Sequence, residues 1–116
     1  MAVSPVQNST QANPNGFGTT VGLTSGPAIP ANPTRVGMIF HNPSSSVAVA
    51  ICPAIVNQGT LGVYTGNAVG VAAINGAGSI TMQPGDKFIV DNLSCTSAWN
   101  AIASGAGGVL TGLEFC

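Results

Sequence analysis

Charged side chains are scarce in this sequence, with two Lys or Arg and three Asp or Glu, or 4% of 116 residues. Typical globular domains carry about 25%. Nucleic-acid affinity grows with the number of phosphates that basic side chains neutralise, so two basic residues exclude nucleic acid as a partner. The same shortage excludes attachment to an anionic membrane surface. Because charge normally keeps a soluble domain apart from its neighbours, its scarcity favours a surface covered by partner subunits.

Long hydrophobic runs are also missing. No stretch of about 18 apolar residues occurs, so the sequence predicts no transmembrane helix. Residues 1–7 lack the basic and apolar regions of a secretory signal, and we expect synthesis in the cytoplasm. The hydrophobic content of 45% is nevertheless ordinary for a folded domain and argues against disorder.

Residues able to carry chemistry are few. His41 is the single histidine, and catalysis by it would need a nucleophile and an orienting acid. Cys52 or Cys95 with Asp91 could supply them, but no local spacing links these residues. The three cysteines, which include Cys116, match no zinc spacing. We therefore predict no enzyme, no cofactor and no metal site, and reduced thiols with Cys52 in the core.

Aromatic residues are equally sparse, at 5% of the chain. Trp99 and Tyr64 could form a platform on which a sugar stacks, and that possibility sustains an alternative function as a carbohydrate-binding module. So few aromatic side chains are more simply explained as core or interface anchors.

The sequence does contain short alternating segments separated by turn signals. Residues 34–41 alternate, and residues 47–52 place Val49 and Ile51 on one face and the small Ala50 and Cys52 on the other. That small-residue face would let another layer approach closely. Turns are predicted at 83–86, where Asp86 caps the turn, and at 105–108, which we expect to close a hairpin.

About seven short strands and no helix emerge from this pattern. It predicts an all-β fold, either an antiparallel β-sandwich or a small jelly-roll-like barrel, over residues 31–116.

Residues 1–30 differ in composition from the rest, with four prolines among polar residues and glycines. They predict an extended N-terminal arm in which 21–24 could form one short edge strand. The apolar side chains of the arm are the candidate partner contacts: Val3, Val6, Phe17, Val21 and Leu23.

Arg35 is the single arginine and opens the first strand of the predicted domain. Among neutral neighbours it is expected either to pair with an acid, Glu114 or Asp91, or to be a solvated strand end. Arg35 with Glu114 is the candidate structural ion pair.

Three stretches carry a family resemblance: residues 32–44 (NPTRVGMIFHNPS), residues 78–85 (GSITMQPG), and the ending from Trp99 to Leu113-Glu114-Phe115. They resemble small β-sandwich virion proteins of tailed bacteriophages, in which an N-x-x-R strand leads to an N-x-S turn. In those proteins a later strand ends in a P-G turn and the last strand ends in Glu-Phe. Cys116 departs from this pattern.

The resemblance implies a structural virion protein, most simply a capsid decoration (cement) protein on the surface of the phage head. Its expected partners are the major capsid protein or other virion subunits. It is expected to be a homo-oligomer, with a trimer favoured, and its N-terminal arm would engage the shell. The alternative is a host-recognition or carbohydrate-binding module of a phage fibre or tail.

Overall fold

The structure is a computed structural model that describes residues 14–58, 66–91 and 93–116. Its elements are β1 (Pro14–Val21), β2 (Gly26–Ile29), β3 (Gly37–His41), β4 (Val49–Pro53), β5 (Ile55–Gln58), β6 (Gly66–Val69), β7 (Ile80–Met82), β8 (Lys87–Val90), a 3₁₀ helix (Leu93–Thr96), β9 (Trp99–Ala103) and β10 (Gly108–Phe115). No helix in these ranges has the length and apolar character needed to cross a membrane.

Eight strands form two antiparallel sheets. Sheet A has the order β1-β10-β3-β8, sheet B has the order β2-β9-β4-β7, and β5 and β6 form a separate hairpin. The pairing is nested, because β1 pairs with β10, β2 with β9, β3 with β8 and β4 with β7. A long hairpin wound into two facing sheets in this way has the jelly-roll arrangement. The predicted all-β sandwich is confirmed.

The core lies between the two sheets. Alternate residues of each strand point inward, which buries Phe40 and Leu110 of sheet A against Ile51 and Trp99 of sheet B. Each such side chain contributes about 1.5–3 kcal/mol by leaving water. The Phe40 ring lies 5.3 Å from that of Trp99 and links the two sheets.

Gly112 of β10 has a specific place in this core. It pairs with Phe17 on one side and with Phe40 on the other. Those two rings meet edge to face, with centroids 5.8 Å apart. A Cβ at position 112 would lie 1.9 Å from the carbonyl oxygen of Ile39 and 2.7 Å from the Phe17 ring. The aromatic packing therefore requires glycine here.

Residues 14–29 differ from the expected arm. All of β1 pairs with β10, and β2 pairs with β9, so these residues are strands of the two sheets. The glycines and prolines of this segment predicted irregular structure. The prediction failed because the strands that pair with the segment lie at the other end of the sequence, where local composition gives no sign of them. The sandwich includes residue 14 and does not begin at 31. Residues 1–13 lie outside the described part of the chain.

The turn at 105–108 also differs from its prediction. Gly107 has a φ of 86°, as a tight reversal requires. However, β9 belongs to sheet B and β10 to sheet A, so the turn crosses between sheets and does not close a hairpin. Turn residues specify a reversal of the chain but not the sheet that the next strand joins.

The turn at 83–86 follows its prediction. The backbone N–H of Asp86 donates to the carbonyl of Gln83 at 2.9 Å, and the Asp86 carboxylate accepts from the N–H of Gln83 at 2.9 Å. Asp86 therefore caps the turn that leads into β8.

The outer side of sheet B is covered by residues 70–79. Ala50 and Cys52 are buried although they point away from the core. Asn100 Nδ2 donates to the carbonyl of Gly70 at 2.6 Å. A Cβ at Gly70 would lie 1.7 Å from the carbonyl oxygen of Pro53. The close second layer expected from the small residues of β4 is confirmed, and it leaves sheet A as the sheet with the more open outer side.

Candidate functional site

The outer side of sheet A carries an apolar row. Leu113, Ile39 and Ile89 are aligned across β10, β3 and β8. Ile89 is 65% exposed and Leu113 40% exposed. Their orientation follows from the alternation of each strand, because the residues on either side point into the core.

A second, more polar row runs beside the first. Thr111, His41 and Lys87 are aligned across the same three strands. The Thr111 hydroxyl lies 3.4 Å from His41 Nδ1. We call the two rows together outer face A; its members are Ile39, His41, Lys87, Ile89, Thr111 and Leu113.

The shape of outer face A is shallow. Gly16 and Gly18 of β1 stand opposite Leu113 and Thr111, and they add no side chain to either row. The surface dips between Ile39, His41, Lys87, Thr111 and Leu113. Lys87 is its one charged member. A shallow surface with an apolar row beside a polar row suits contact with another protein surface.

A buried polar cluster closes one end of the sandwich. The Arg35 side chain is 1% exposed, and its Nη1 donates to the carbonyls of Cys95 at 2.8 Å and Ser97 at 3.2 Å. Its Nη2 donates to the carbonyl of Pro30 at 2.8 Å. Its Nε lies 3.6 Å from Glu114 Oε1. Of the two acids proposed for Arg35, the structure brings Glu114 to it.

Glu114 itself accepts two hydrogen bonds. Asn32 Nδ2 donates to Oε1 at 3.2 Å, and the Cys116 thiol donates to the same oxygen at 3.3 Å. Burial acts to raise the pKa of Glu114, but these two bonds and the charge of Arg35 outweigh it and hold the pKa below its ordinary value. Glu114 neutralises the charge of Arg35, and the two Nη atoms of Arg35 donate to backbone carbonyls. The cluster therefore stabilises the fold.

The candidate contact residues of the arm have different positions. Val21 lies in the core at 8% exposure, and Phe17 packs against the core. These two were wrongly expected to be free for a partner, because each points inward from β1. Leu23 is 62% exposed in the β1–β2 connection and remains a candidate. Val3 and Val6 lie outside the described residues.

Of the two candidate sugar-stacking residues, the structure describes Trp99 alone. Trp99 is 3% exposed and packs in the core, so it offers no face to a sugar. Tyr64 lies outside the described residues. Trp99 therefore does not support the hypothesis of a sugar-stacking platform.

The thiols are all free. Cys52 and Cys95 are buried, as expected for Cys52, and burial raises the pKa of Cys52 despite a hydrogen bond with Ser79. Partial burial, followed by the neighbouring Glu114, raises the pKa of Cys116. Within residues 14–58, 66–91 and 93–116, no three His, Cys, Asp or Glu side chains are grouped as a metal site would require.

Outer face A was not singled out from the sequence. Its signal was present, since Ile39, Ile89 and Leu113 each alternate with residues that are now seen to point inward. What the sequence could not provide is the order β10-β3-β8, which aligns three separate aliphatic side chains in one row.

Comparison of the chain with protein-family models, with curated proteins and with solved structures gives no significant match.

Proposed function

We propose that the protein is a structural virion component, a decoration protein that binds the outer surface of a phage head through outer face A. The observation that carries the proposal is the apolar row Leu113–Ile39–Ile89, in which Leu113 and Ile89 are exposed and Ile39 is half-buried, on a surface with few charges. Jelly-roll sandwiches serve in viral capsids and also in lectins, so the fold alone is compatible with both.

Attachment would depend on apolar burial. A stable interface covers about 1,200 Å² or more, counted over both partners. The apolar row would supply its centre, and Thr111 and His41 would contribute polar contacts beside it. Because Lys87 is the one charged side chain of outer face A, binding should change little between low and high salt.

The major capsid protein is the proposed partner, and the protein would stabilise the shell by bridging neighbouring capsid subunits. Residues 1–13, with Val3 and Val6, would add a second contact. Leu23, exposed in the connection between β1 and β2, would be a further candidate contact with the shell.

The test uses particles that contain this chain. Quantitative mass spectrometry should count hundreds of copies per particle, whereas a few copies would place the protein at a tail or vertex and contradict decoration. Particles stripped of the protein should regain full occupancy when the purified protein is added. Leu113→Lys should raise the Kd for stripped particles at least about tenfold, because a buried unpaired charge costs more than about 1.4 kcal/mol.

Two further variants separate the contacts. Deletion of residues 2–13 tests the N-terminal contact and removes none of the described strands, whereas deletion to residue 30 would remove β1 and β2. Val71→Lys is the matched control, since Val71 is 63% exposed and lies on the segment that covers sheet B. A Kd of Leu113→Lys equal to that of the wild-type protein would overturn the role of outer face A.

A further inference from the structure

Among the described strands, β8 forms one edge of sheet A. Lys87 and Ile89 point outward from it, and Asp91, which directly follows the strand, continues the alternation. All three are exposed, Ile89 by 65%. The edge therefore presents a positive charge, an aliphatic side chain and a negative charge at equal spacing.

The backbone of this edge is oriented for further pairing. On the inner side, the N–H of Asn42 donates to the carbonyl of Asp86 at 3.0 Å. In an antiparallel ladder, every second residue bonds to the same neighbour. Phe88 and Val90 therefore direct their N–H and C=O groups to β3. Lys87, Ile89 and Asp91 direct theirs to the open side.

An exposed edge strand is a template for another strand. A single lysine usually blocks such pairing, because two like charges would meet. Here the order of the charges turns this repulsion into attraction when the partner is the β8 edge of a second copy. In an antiparallel pair of identical edges centred on Ile89, Lys87 of each copy lies opposite Asp91 of the other, and the two Ile89 side chains face each other.

We propose that β8 is a homodimer interface, in which two copies of this chain pair their β8 edges about a two-fold axis at Ile89. The backbone groups of residues 87, 89 and 91 form the new hydrogen bonds, and the two sheets A become one continuous sheet. The contact is isologous and closes at two copies. It goes beyond the proposed decoration function, and a trimer would need a different surface.

The charge order provides the first test, made on the full chain by analytical ultracentrifugation over a range of concentrations. The wild-type protein should be dimeric. Lys87→Asp alone and Asp91→Lys alone should each raise the dimer Kd by about tenfold or more, because two symmetric attractive pairs become repulsive. Lys87→Asp combined with Asp91→Lys should restore the dimer.

That restoration distinguishes the proposal from a general loss of stability. Circular dichroism and thermal unfolding should show each single variant folded. A wild-type protein that stays monomeric at all concentrations would overturn the proposal. So would single variants that dimerise normally, or a double variant that stays as weak as the singles.

The register provides a second test. Opposite residues in a bonded antiparallel pair have Cα atoms about 5.5 Å apart, within the range that a disulfide spans. Ile89→Cys, in a background with Cys116→Ser, should form a disulfide-linked dimer under mild oxidation. Ile39→Cys, one strand inward on the same face, is the matched control and should not. Equal crosslinking at both positions would contradict the register.

Both tests are made without phage particles. The dimer proposal can therefore fail while the decoration function holds, and the decoration function can fail while the dimer forms.

Discussion

Arg35 and Cys95 are hydrogen-bonded in both directions. The guanidinium donates to the carbonyl of Cys95 at 2.8 Å, and the Cys95 thiol donates to the carbonyl of Arg35 at 3.2 Å. The pair joins the segment before β3 to the 3₁₀ helix that precedes β9. It therefore ties the two sheets together at one end of the sandwich.

Arg35→Ala should destabilise the fold by about 3 kcal/mol or more, since buried carbonyls that lose a donor cost about 1–3 kcal/mol each. Three carbonyls depend on this side chain, those of Pro30, Cys95 and Ser97. Urea unfolding measures the loss. Arg35→Lys keeps the charge but cannot reach all three carbonyls. Its unfolding free energy should therefore lie between that of Arg35→Ala and that of the wild type. Unchanged stability in Arg35→Ala would show that the cluster does not hold the sandwich closed.

Glu114 makes stability depend on pH. Because its pKa is lower in the folded protein than in the unfolded chain, its contribution is fully present above the ordinary glutamate pKa of about 4.3. The contribution is lost as the pH falls through the lower folded pKa. The unfolding free energy of Glu114→Gln, compared with that of the wild type from neutral pH downward, should show a gap that narrows in acid. A gap that is constant with pH would contradict this assignment.

Asn42→Ala should cost about 2–4 kcal/mol, because buried partners are left unsatisfied. Asn42 is fully buried, and its Nδ2 donates to the carbonyls of Val47 and Met82, each at 2.9 Å. Its Oδ1 accepts from the N–H of Ser44 at 3.0 Å. Thermal unfolding measures the effect, with Gln83→Ala as an exposed control expected to change little. Comparable losses in both variants would contradict a special role for Asn42.

Gly112→Ala should destabilise by about 3 kcal/mol, at the upper end of the range for overpacked cores. The new methyl group would collide with the Ile39 carbonyl, which is backbone and cannot yield cheaply. Gly16→Ala is the matched control on the neighbouring strand, since a Cβ there meets nothing within 4 Å. Near-ultraviolet circular dichroism should report the loss of Phe17–Phe40 packing in the first variant only. Similar stability of the two variants would contradict the packing argument.

Local pattern was sufficient for the fold class but not for the partners of each strand. Alternation over residues 34–41 placed Val36, Met38 and Phe40 on one face; Met38 and Phe40 are buried, but Val36 is 61% exposed because it precedes β3. The small residues of β4 correctly indicated a covering layer. The error at residues 14–29 arose because β1 is defined by pairing with β10, about ninety residues later. A single sequence holds no direct record of that contact.

The candidate sites likewise depend partly on local pattern and partly on which strands pair. Arg35 could be recognised as an isolated cation in need of an acid, but the choice of Glu114 over Asp91 depends on the β3–β10 register, which sets Glu114 opposite Met38. Outer face A and the β8 edge depend on which strands are neighbours and which is outermost. Those properties follow from topology.

The nested pairing also constrains when the fold can form. The innermost pair, β4 with β7, closes a much shorter loop than β1 with β10, and short closures are kinetically favoured. During synthesis, β10 emerges after the other nine described strands, yet it lies between β1 and β3 in sheet A. Among the described strands, β1 therefore gains its partner in sheet A only after β10 has been synthesised, and until then its hydrogen-bonding groups can pair with other chains.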